Sequence, residues 1–325
     1  MRWMDPMNIE KSWLAVALLS SGLAFSVPAP AQAAAEPAAP TGDQGTDYSA
    51  NGADTCLLCH TESWAYPIYP IFRTKHANRA DPRTPFAGLQ CEACHGPGGK
   101  HAATASKNAI NSFKETSFLS ARQRNEPCLG CHQGSARIGW TGSTHEVNNL
   151  ACTSCHTLHT ERDPVLSSAT QPEVCYKCHS KERADFNKPS VHPVRFGLVT
   201  CSECHSPHGS NTEAMLSMPT LNQTCYSCHA EKRGPFLWEH APATEDCTLC
   251  HSPHGSAHAS LLKKEPPLLC QQCHAVAGHP SVAYTSAALP GGGGGGAAFL
   301  LSGGCINCHS QVHGSNHPSG VKLMR

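Results

Sequence analysis

The sequence has few of the residues that build an ordinary hydrophobic core. Leu, Ile, Val and Phe make up 52 of the 325 residues, or 16%, which is below the roughly 20% that most globular chains reach. An excess of charge of one sign is also lacking, because 24 basic residues balance 24 acidic ones. This balance argues against a charge-driven disordered chain and against a basic nucleic-acid binder. Something other than aliphatic side chains must therefore fill the interior.

Long apolar runs are nearly absent as well. The single run, residues 13–27, excludes a protein that spans a membrane several times. This run is short for a membrane anchor, and Ala31-Gln32-Ala33 follows it, so residues 1–33 are predicted to be a secretory signal peptide. Residues 34–54, rich in Ala, Pro and Gly, are predicted to form a flexible linker, and residues 55–325 a single continuous domain.

Cysteine and histidine, in contrast, are abundant, with 20 and 22 copies. Every cysteine lies in a Cys-x-x-Cys pair, and a histidine follows every pair directly. The cysteine pairs are Cys56/Cys59, Cys91/Cys94, Cys128/Cys131, Cys152/Cys155, Cys175/Cys178, Cys201/Cys204, Cys225/Cys228, Cys247/Cys250, Cys270/Cys273 and Cys305/Cys308. The histidines that follow them are His60, His95, His132, His156, His179, His205, His229, His251, His274 and His309.

This motif is the attachment signature of c-type haem. Two thiols two residues apart can add to the two vinyl groups of one porphyrin, and the adjacent histidine can then bind the iron as its proximal ligand. Five four-cysteine zinc sites are the alternative, but zinc spacing does not require a histidine after each pair. The sequence therefore predicts ten covalently attached haems. Because 27 glycines and 25 prolines interrupt the chain, we expect a multihaem cytochrome c fold, with short helices and loops wrapped around a chain of haems and little or no β-sheet.

The other histidines follow a five-fold repeat. Each unit contains a first haem site, a middle histidine, a second haem site and a trailing histidine, and the units start near residues 56, 128, 175, 225 and 270. The repeat thus supplies one candidate distal ligand per haem. The middle histidines are His76, His145, His192, His240 and His279, and the trailing histidines are His101, His159, His208, His254 and His313.

The repeat leaves His258 and His317 over, and we expect both to be surface residues, although His317 could replace His313. Only three methionines follow the predicted signal peptide, too few for widespread His/Met ligation, so bis-histidine ligation is predicted. Which haem each distal histidine serves stays open at this point, since a donor could come from another unit.

Two classes of function remain possible. Ten candidate distal ligands for ten irons leave no obvious open position, and no Cys-x-x-Cys-Lys variant occurs, so an electron-transfer protein without catalytic residues is favoured. A multihaem reductase of a small nitrogen or sulfur oxyanion is the alternative. Sites as close as 22 residues apart leave no room for separate domains, which predicts one contiguous haem array.

The sequence resembles the MtrA/DmsE family of decahaem cytochromes. The resemblance rests on the ten sites, on Ser-Pro-His-Gly-Ser at residues 206–210 and 252–256, on residues 225–242 and on the ending at 305–318. It implies a periplasmic protein associated with the outer membrane. The implied partners are an outer-membrane β-barrel, periplasmic or inner-membrane-attached redox proteins, and an outer-surface multihaem cytochrome or terminal reductase. A soluble periplasmic electron shuttle is the alternative. The glycine run at residues 291–296 departs from this pattern and is predicted to be a surface loop.

Overall fold

The computed structural model describes residues 43–274 and 304–325, and all of these belong to one compact unit. The predicted signal peptide, His279 and the glycine run at 291–296 lie outside the described residues. Within the described part no helix is long and apolar enough to cross a bilayer.

The described fold consists of short helical segments joined by turns and loops. The α-helices are Ala53–Leu57, Glu92–His95, Gly99–Thr104, Ala121–Leu129, Thr144–Val147, Gln171–Cys175, Ser180–Asp185, Cys201–Cys204, Leu221–Tyr226 and Ala241–Glu245. Short 3₁₀ segments lie between these helices and after the last of them: Tyr69–Arg73, Lys75–Ala77, Pro85–Ala87, Lys107–Ala109, Ser135–Arg137, Cys152–Ser154, Pro164–Leu166, Pro193–Phe196, Glu213–Met215, Ala230–Lys232, Cys247–Leu249, Ala259–Leu261, Cys270–Gln272, Gly304–Asn307 and Gly320–Lys322.

The longest helix, Ala121–Leu129, has nine residues and begins at a capping box, in which Ser120 and Gln123 bond to each other's backbone N–H. The described residues contain no β-strand, only four isolated bridges such as His205 with Leu216. The prediction of short helices and loops without a sheet is confirmed.

The side chains form almost no core of their own. Ten apolar residues are buried among those described, four of them alanines, and no large side chain is completely buried. The largest apolar cluster joins Tyr176, Phe186 and Val194. As the composition indicates, the interior of the fold is not filled by amino-acid side chains.

The stretch 43–54 differs from its prediction as a flexible linker. Both oxygens of Glu92 accept hydrogen bonds from Ser49, one from its backbone N–H and one from its hydroxyl, each 2.8 Å long. The backbone N–H of Gly99 donates to the Asp47 carbonyl over 2.9 Å, where a Cβ on residue 99 would lie 2.6 Å from the same oxygen. These contacts hold residues 43–54 against the first repeat unit, whereas a fully flexible linker would make no such contacts.

Candidate functional site

Each Cys-x-x-Cys-His motif forms one tight helical turn. In all ten motifs the backbone N–H of the histidine donates to the carbonyl of the first cysteine, over 2.8–3.0 Å. One turn brings residues four apart onto the same side of the backbone. This local geometry explains how such short helices can present two thiols and an imidazole together.

The motifs surround one continuous cavity of about 5540 Å³. A site for a single drug-sized ligand typically measures about 300–1,000 Å³, so this space can hold several large groups. Nineteen of the twenty cysteines line the cavity, together with all nineteen predicted ligand histidines that the structure describes. His258 and His317 do not line it.

Cys308 is the exception among the cysteines. It is exposed and does not line the cavity. Its motif still forms the common turn, because the N–H groups of Cys308 and His309 both donate to the Cys305 carbonyl, over 3.2 and 2.8 Å. Thioether attachment at Cys308 therefore stays a prediction from its motif alone.

The proximal and distal histidines face each other in pairs across this cavity. Nine pairs have ring centres 5.9–6.3 Å apart: His60–His101, His95–His159, His132–His76, His156–His208, His179–His145, His205–His254, His229–His192, His251–His313 and His274–His240. Each pair contains one histidine from a Cys-x-x-Cys-His motif and one from the distal candidates. The tenth distal candidate, His279, lies outside the described residues.

The spacing of these pairs fits a haem iron. A histidine nitrogen binds a metal at about 2 Å, so two imidazoles on opposite faces of one iron have ring centres about 6 Å apart. The measured separations therefore match the group that the cysteine motifs predict.

The pairs exchange histidines between neighbouring repeat units. His145, the middle histidine of the second unit, faces His179 in the first site of the third unit. In return His208, the trailing histidine of the third unit, faces His156 in the second site of the second unit. The same exchange occurs at every described junction between units. Among the described pairs, only His60, in the first site of the sequence, faces the trailing histidine of its own unit, His101.

At the junction between the second and third units, the glycine after the trailing histidine makes this exchange possible. Gly209 has a φ of +105°, and a Cβ on it would lie 2.1 Å from the carbonyl oxygen of Gly139 in the preceding unit. Only glycine fits so close to another backbone in this conformation. The carbonyl of Pro207 in the same loop accepts a hydrogen bond from Nδ1 of His145, over 2.7 Å. One loop thus delivers His208 and orients His145.

The Nδ1 atoms of many ligand candidates are held by the backbone. Eight of them bond to a backbone carbonyl over 2.6–2.9 Å: those of His95, His101, His145, His192, His205, His240, His251 and His309. With the proton fixed on Nδ1, the Nε2 lone pair is free to bind a metal. The sequence alone did not indicate which backbone carbonyls accept these hydrogen bonds.

Burial favours the uncharged form of several of these imidazoles. Loss of hydration lowers the pKa of His60, His95, His132, His159, His208, His254 and His313 below the usual value for histidine. The neutral imidazole is the form that binds a metal ion.

The cysteines place the ten sites in one unbroken order. Within each unit the first cysteines of the two sites are neighbours, close enough for one to shift the pKa of the other: Cys56 with Cys91, Cys128 with Cys152, Cys175 with Cys201, Cys225 with Cys247 and Cys270 with Cys305. Between units, burial is the main cause that raises the pKa values of Cys94, Cys155, Cys204 and Cys250. The charge of a nearby cysteine in the following unit is the second cause. Each site therefore adjoins the site before it and the site after it along the chain.

Buried asparagines hold the two sites of a unit together in two of the units. The side-chain oxygen of Asn125 accepts a hydrogen bond from the backbone N–H of Cys152 over 2.7 Å, and that of Asn222 accepts one from Cys247 over 2.9 Å. Each asparagine precedes its first-site cysteine by three residues. This role was not predicted from the sequence, although the shared position of the two asparagines relative to the motif is a signal for it.

The alternatives of the sequence analysis find little support in this geometry. Among the described residues no three His, Cys, Asp or Glu side chains converge as a zinc site requires. His258 lies 3.2 Å from Glu265, and His317 bonds to Ser319. His313, and not His317, faces His251.

Comparisons with known proteins agree with these observations. Residues 91–172 match the model of the cytochrome c-type protein NrfB-like family, residues 192–234 and 240–279 match the doubled CXXCH motif, and residues 30–96 match the cytochrome c554 and c-prime family. The chain is 30% identical to the cytochrome c-type protein NrfB of Escherichia coli over 193 residues, which is 57% of this chain and 96% of that protein.

The similarity to a longer relative covers most of the chain. The chain is 51% identical to the multihaem cytochrome MtrA of Shewanella baltica over 279 residues, which is 86% of this chain and 83% of that protein. Haem c is the group that such motifs bind, and it explains the cavity, the cysteine turns and the spacing of the histidine pairs together. The chain belongs to the MtrA family of multihaem c-type cytochromes, which are electron-transport proteins.

Proposed function

We propose that the chain binds ten haems c, one at each Cys-x-x-Cys-His motif, and that each iron has two histidine ligands. The separation of about 6 Å in the nine described pairs carries this proposal. Bound at these sites, haem supplies reversible one-electron exchange between ferric and ferrous iron. The protein's part is to hold both axial positions and to exclude other ligands.

We further propose that the protein is a periplasmic electron-transfer wire. The observation that carries this function is that residues of all ten motifs line one continuous cavity, so that successive sites share its space along the chain. A carrier of one or two electrons does not need ten sites in a row. A series of adjoining sites can accept electrons at one end and release them at the other.

The histidine pairing favours this wire over a reductase. A reductase of a nitrogen or sulfur oxyanion needs an iron position that is open to its substrate. In the described residues, nine motif histidines each face a second histidine at ligand spacing. We therefore propose that the protein itself is not an enzyme.

The ring planes of the pairs predict two classes of electron paramagnetic resonance signal from the oxidised protein. The planes are nearly parallel in His156–His208 and His251–His313, at 6° and 12°, and nearly perpendicular in His132–His76 and His179–His145, at 78° and 77°. The angle between two axial imidazoles controls the splitting of the iron d orbitals. We expect both rhombic and highly anisotropic low-spin signals, and a single uniform class would contradict the pairing.

For the complete path we propose an outer-membrane β-barrel partner. Electrons would pass between periplasmic or inner-membrane-attached redox proteins and an outer-surface multihaem cytochrome or terminal reductase. The similarity to MtrA supports this assignment. The mature protein is then periplasmic and associated with the outer membrane.

Mild detergent extraction of the outer membrane of the native host tests this path. We expect a β-barrel protein to co-purify with the cytochrome in fixed stoichiometry, and liposomes that contain the complex to pass electrons from an external reductant to an entrapped redox dye. Liposomes with the barrel alone are the control and should leave the dye oxidised. A freely soluble monomer, recovered without a barrel, would instead support a periplasmic shuttle.

A further inference from the structure

The second haem site of the second unit differs from the others in the partner of its histidine. Nδ1 of His156 lies 2.6 Å from the carboxylate oxygen Oδ2 of Asp163. The eight other Nδ1 hydrogen bonds of ligand histidines in the described residues end on neutral backbone carbonyls. His156 is thus the one described ligand that is bonded directly to a negatively charged group.

The local structure holds this carboxylate in place. The side chain of Asp163 is only 12% exposed. Its other oxygen, Oδ1, accepts hydrogen bonds from the backbone N–H groups of Thr157 and Val165, over 3.2 and 3.3 Å, and so caps the turn Pro164–Leu166. Within the described part of the chain, its one ion-pair partner is His156. The negative charge is therefore directed at the imidazole and is not neutralised by a lysine or arginine.

Two other proximal histidines have carboxylates nearby, but the contacts are longer. Glu182 lies 3.8 Å from Nδ1 of His179, and Glu231 lies 3.8 Å from Nδ1 of His229. Both distances exceed a hydrogen bond. These carboxylates are also more exposed than Asp163, at 30% and 60%, so water screens them more strongly.

A hydrogen bond from a ligand imidazole to a carboxylate makes the imidazole a stronger donor to iron. Ferric haem carries one more positive charge than ferrous haem, so a stronger donor and a buried negative charge both stabilise the ferric state. Second-shell hydrogen bonding is one of the means by which proteins set haem potentials.

We propose that Asp163 is a positioning residue that lowers the reduction potential of the haem at Cys152, Cys155 and His156 relative to its neighbours in the chain. This inference rests on the proposed haem ligation. It gives the wire a low-potential step at its fourth site, where the second unit meets the third. Electrons that travel the whole series of sites, in either direction, must pass this step.

The Asp163→Asn variant of the full-length holoprotein tests the proposal. Asparagine keeps an oxygen for the hydrogen bonds at this turn and removes the charge. We expect a spectroelectrochemical titration to show that one haem of ten, which accounts for about one tenth of the total absorbance change, is reduced at a more positive potential than in the parent protein. The rest of the titration curve should be unchanged. The Glu182→Gln variant is the matched control, and it should give a much smaller shift because its carboxylate is not hydrogen-bonded to a ligand.

The Asp163→Glu variant restores the charge, and the potential of this haem should return toward that of the parent protein. The parent protein offers a second measurement that requires no variant. A ligand with partial imidazolate character should displace the near-infrared charge-transfer band of one haem in ten in magnetic circular dichroism.

The outcomes separate this inference from the proposed function. Ten low-spin haems with no shift in Asp163→Asn, or no distinct band in the parent protein, would overturn the role of Asp163 and leave the wire intact. Fewer than ten haems, or high-spin haems in the parent protein, would overturn the ligation on which both depend.

Discussion

Without haem attachment, the chain is expected to lose its fold completely. The described residues bury only ten apolar side chains, and the cavity between the motifs has a volume of about 5540 Å³. An empty cavity of this size costs dispersion contacts along its whole lining. A typical domain has only about 5–15 kcal/mol of stability in total, so removal of the groups that fill the cavity should remove all of it.

Expression in a host that lacks the cytochrome c maturation system, under conditions that prevent disulfide formation, provides the apoprotein. We expect a far-ultraviolet circular dichroism spectrum of an unfolded chain, no cooperative thermal transition and rapid proteolysis. The holoprotein from a host with the maturation system is the control, and it should resist the same protease. A compact apoprotein that resists proteolysis would show that side chains alone form a core.

The amino-acid composition alone predicts much of this dependence on haem. A shortage of Leu, Ile, Val and Phe together with twenty cysteines in one motif predicts that porphyrins form the interior. Each motif acts through residues four apart, so its local turn can be predicted from the sequence. The many glycines and prolines likewise predict the absence of long helices and sheets.

The assignment of distal ligands could not be predicted in the same way. His208 lies three residues beyond His205 in the sequence, yet it faces His156, 52 positions upstream. The pairing of His208 with His156 depends on how the loop around Gly209 packs against Gly139, which is a contact between two units. The role of Asp163 depends on the same tertiary structure, because in sequence it is an ordinary acidic residue before a proline. The repeat pattern specified which histidines are candidates, and the packing of neighbouring units paired them.

This exchange has a consequence for the stability of the array. His145 and His208 are donated in opposite directions across the junction between the second and third units. Neither unit can complete its own ligand sets alone, since each inner unit depends on both neighbours. We therefore expect the array to assemble as one cooperative structure and the units to be unsuitable as independent modules.

Replacement of His208 by alanine is expected to convert one haem of ten from low-spin to high-spin. The lost imidazole faces His156 with ring centres 6.0 Å apart and planes at 6°, and the described structure places Trp140, not another histidine, beside it, with ring centres 6.3 Å apart. The iron should then have an open position and bind carbon monoxide when it is reduced. Electronic absorption and carbon monoxide titration measure the fraction directly.

The matched control is His258→Ala. His258 follows the next trailing histidine by four residues and lies beside Glu265, outside the cavity. This variant should keep every haem low-spin and bind no carbon monoxide. High-spin haem in the control, or a fully low-spin spectrum of His208→Ala, would contradict the assigned roles of these two histidines.

The position of the new high-spin haem tests the exchange between units. If His208 serves the second unit, the open iron keeps His156 as its ligand, and His156 donates to Asp163 over 2.6 Å. The iron–histidine stretch in the resonance Raman spectrum of the reduced protein should then have a high frequency, because the carboxylate strengthens this bond. Adding Asp163→Asn to His208→Ala should lower that frequency. A frequency that does not respond would place the open iron at the Cys201 site instead, where Nδ1 of His205 donates to the Ala214 carbonyl, and each unit would then supply its own trailing ligand.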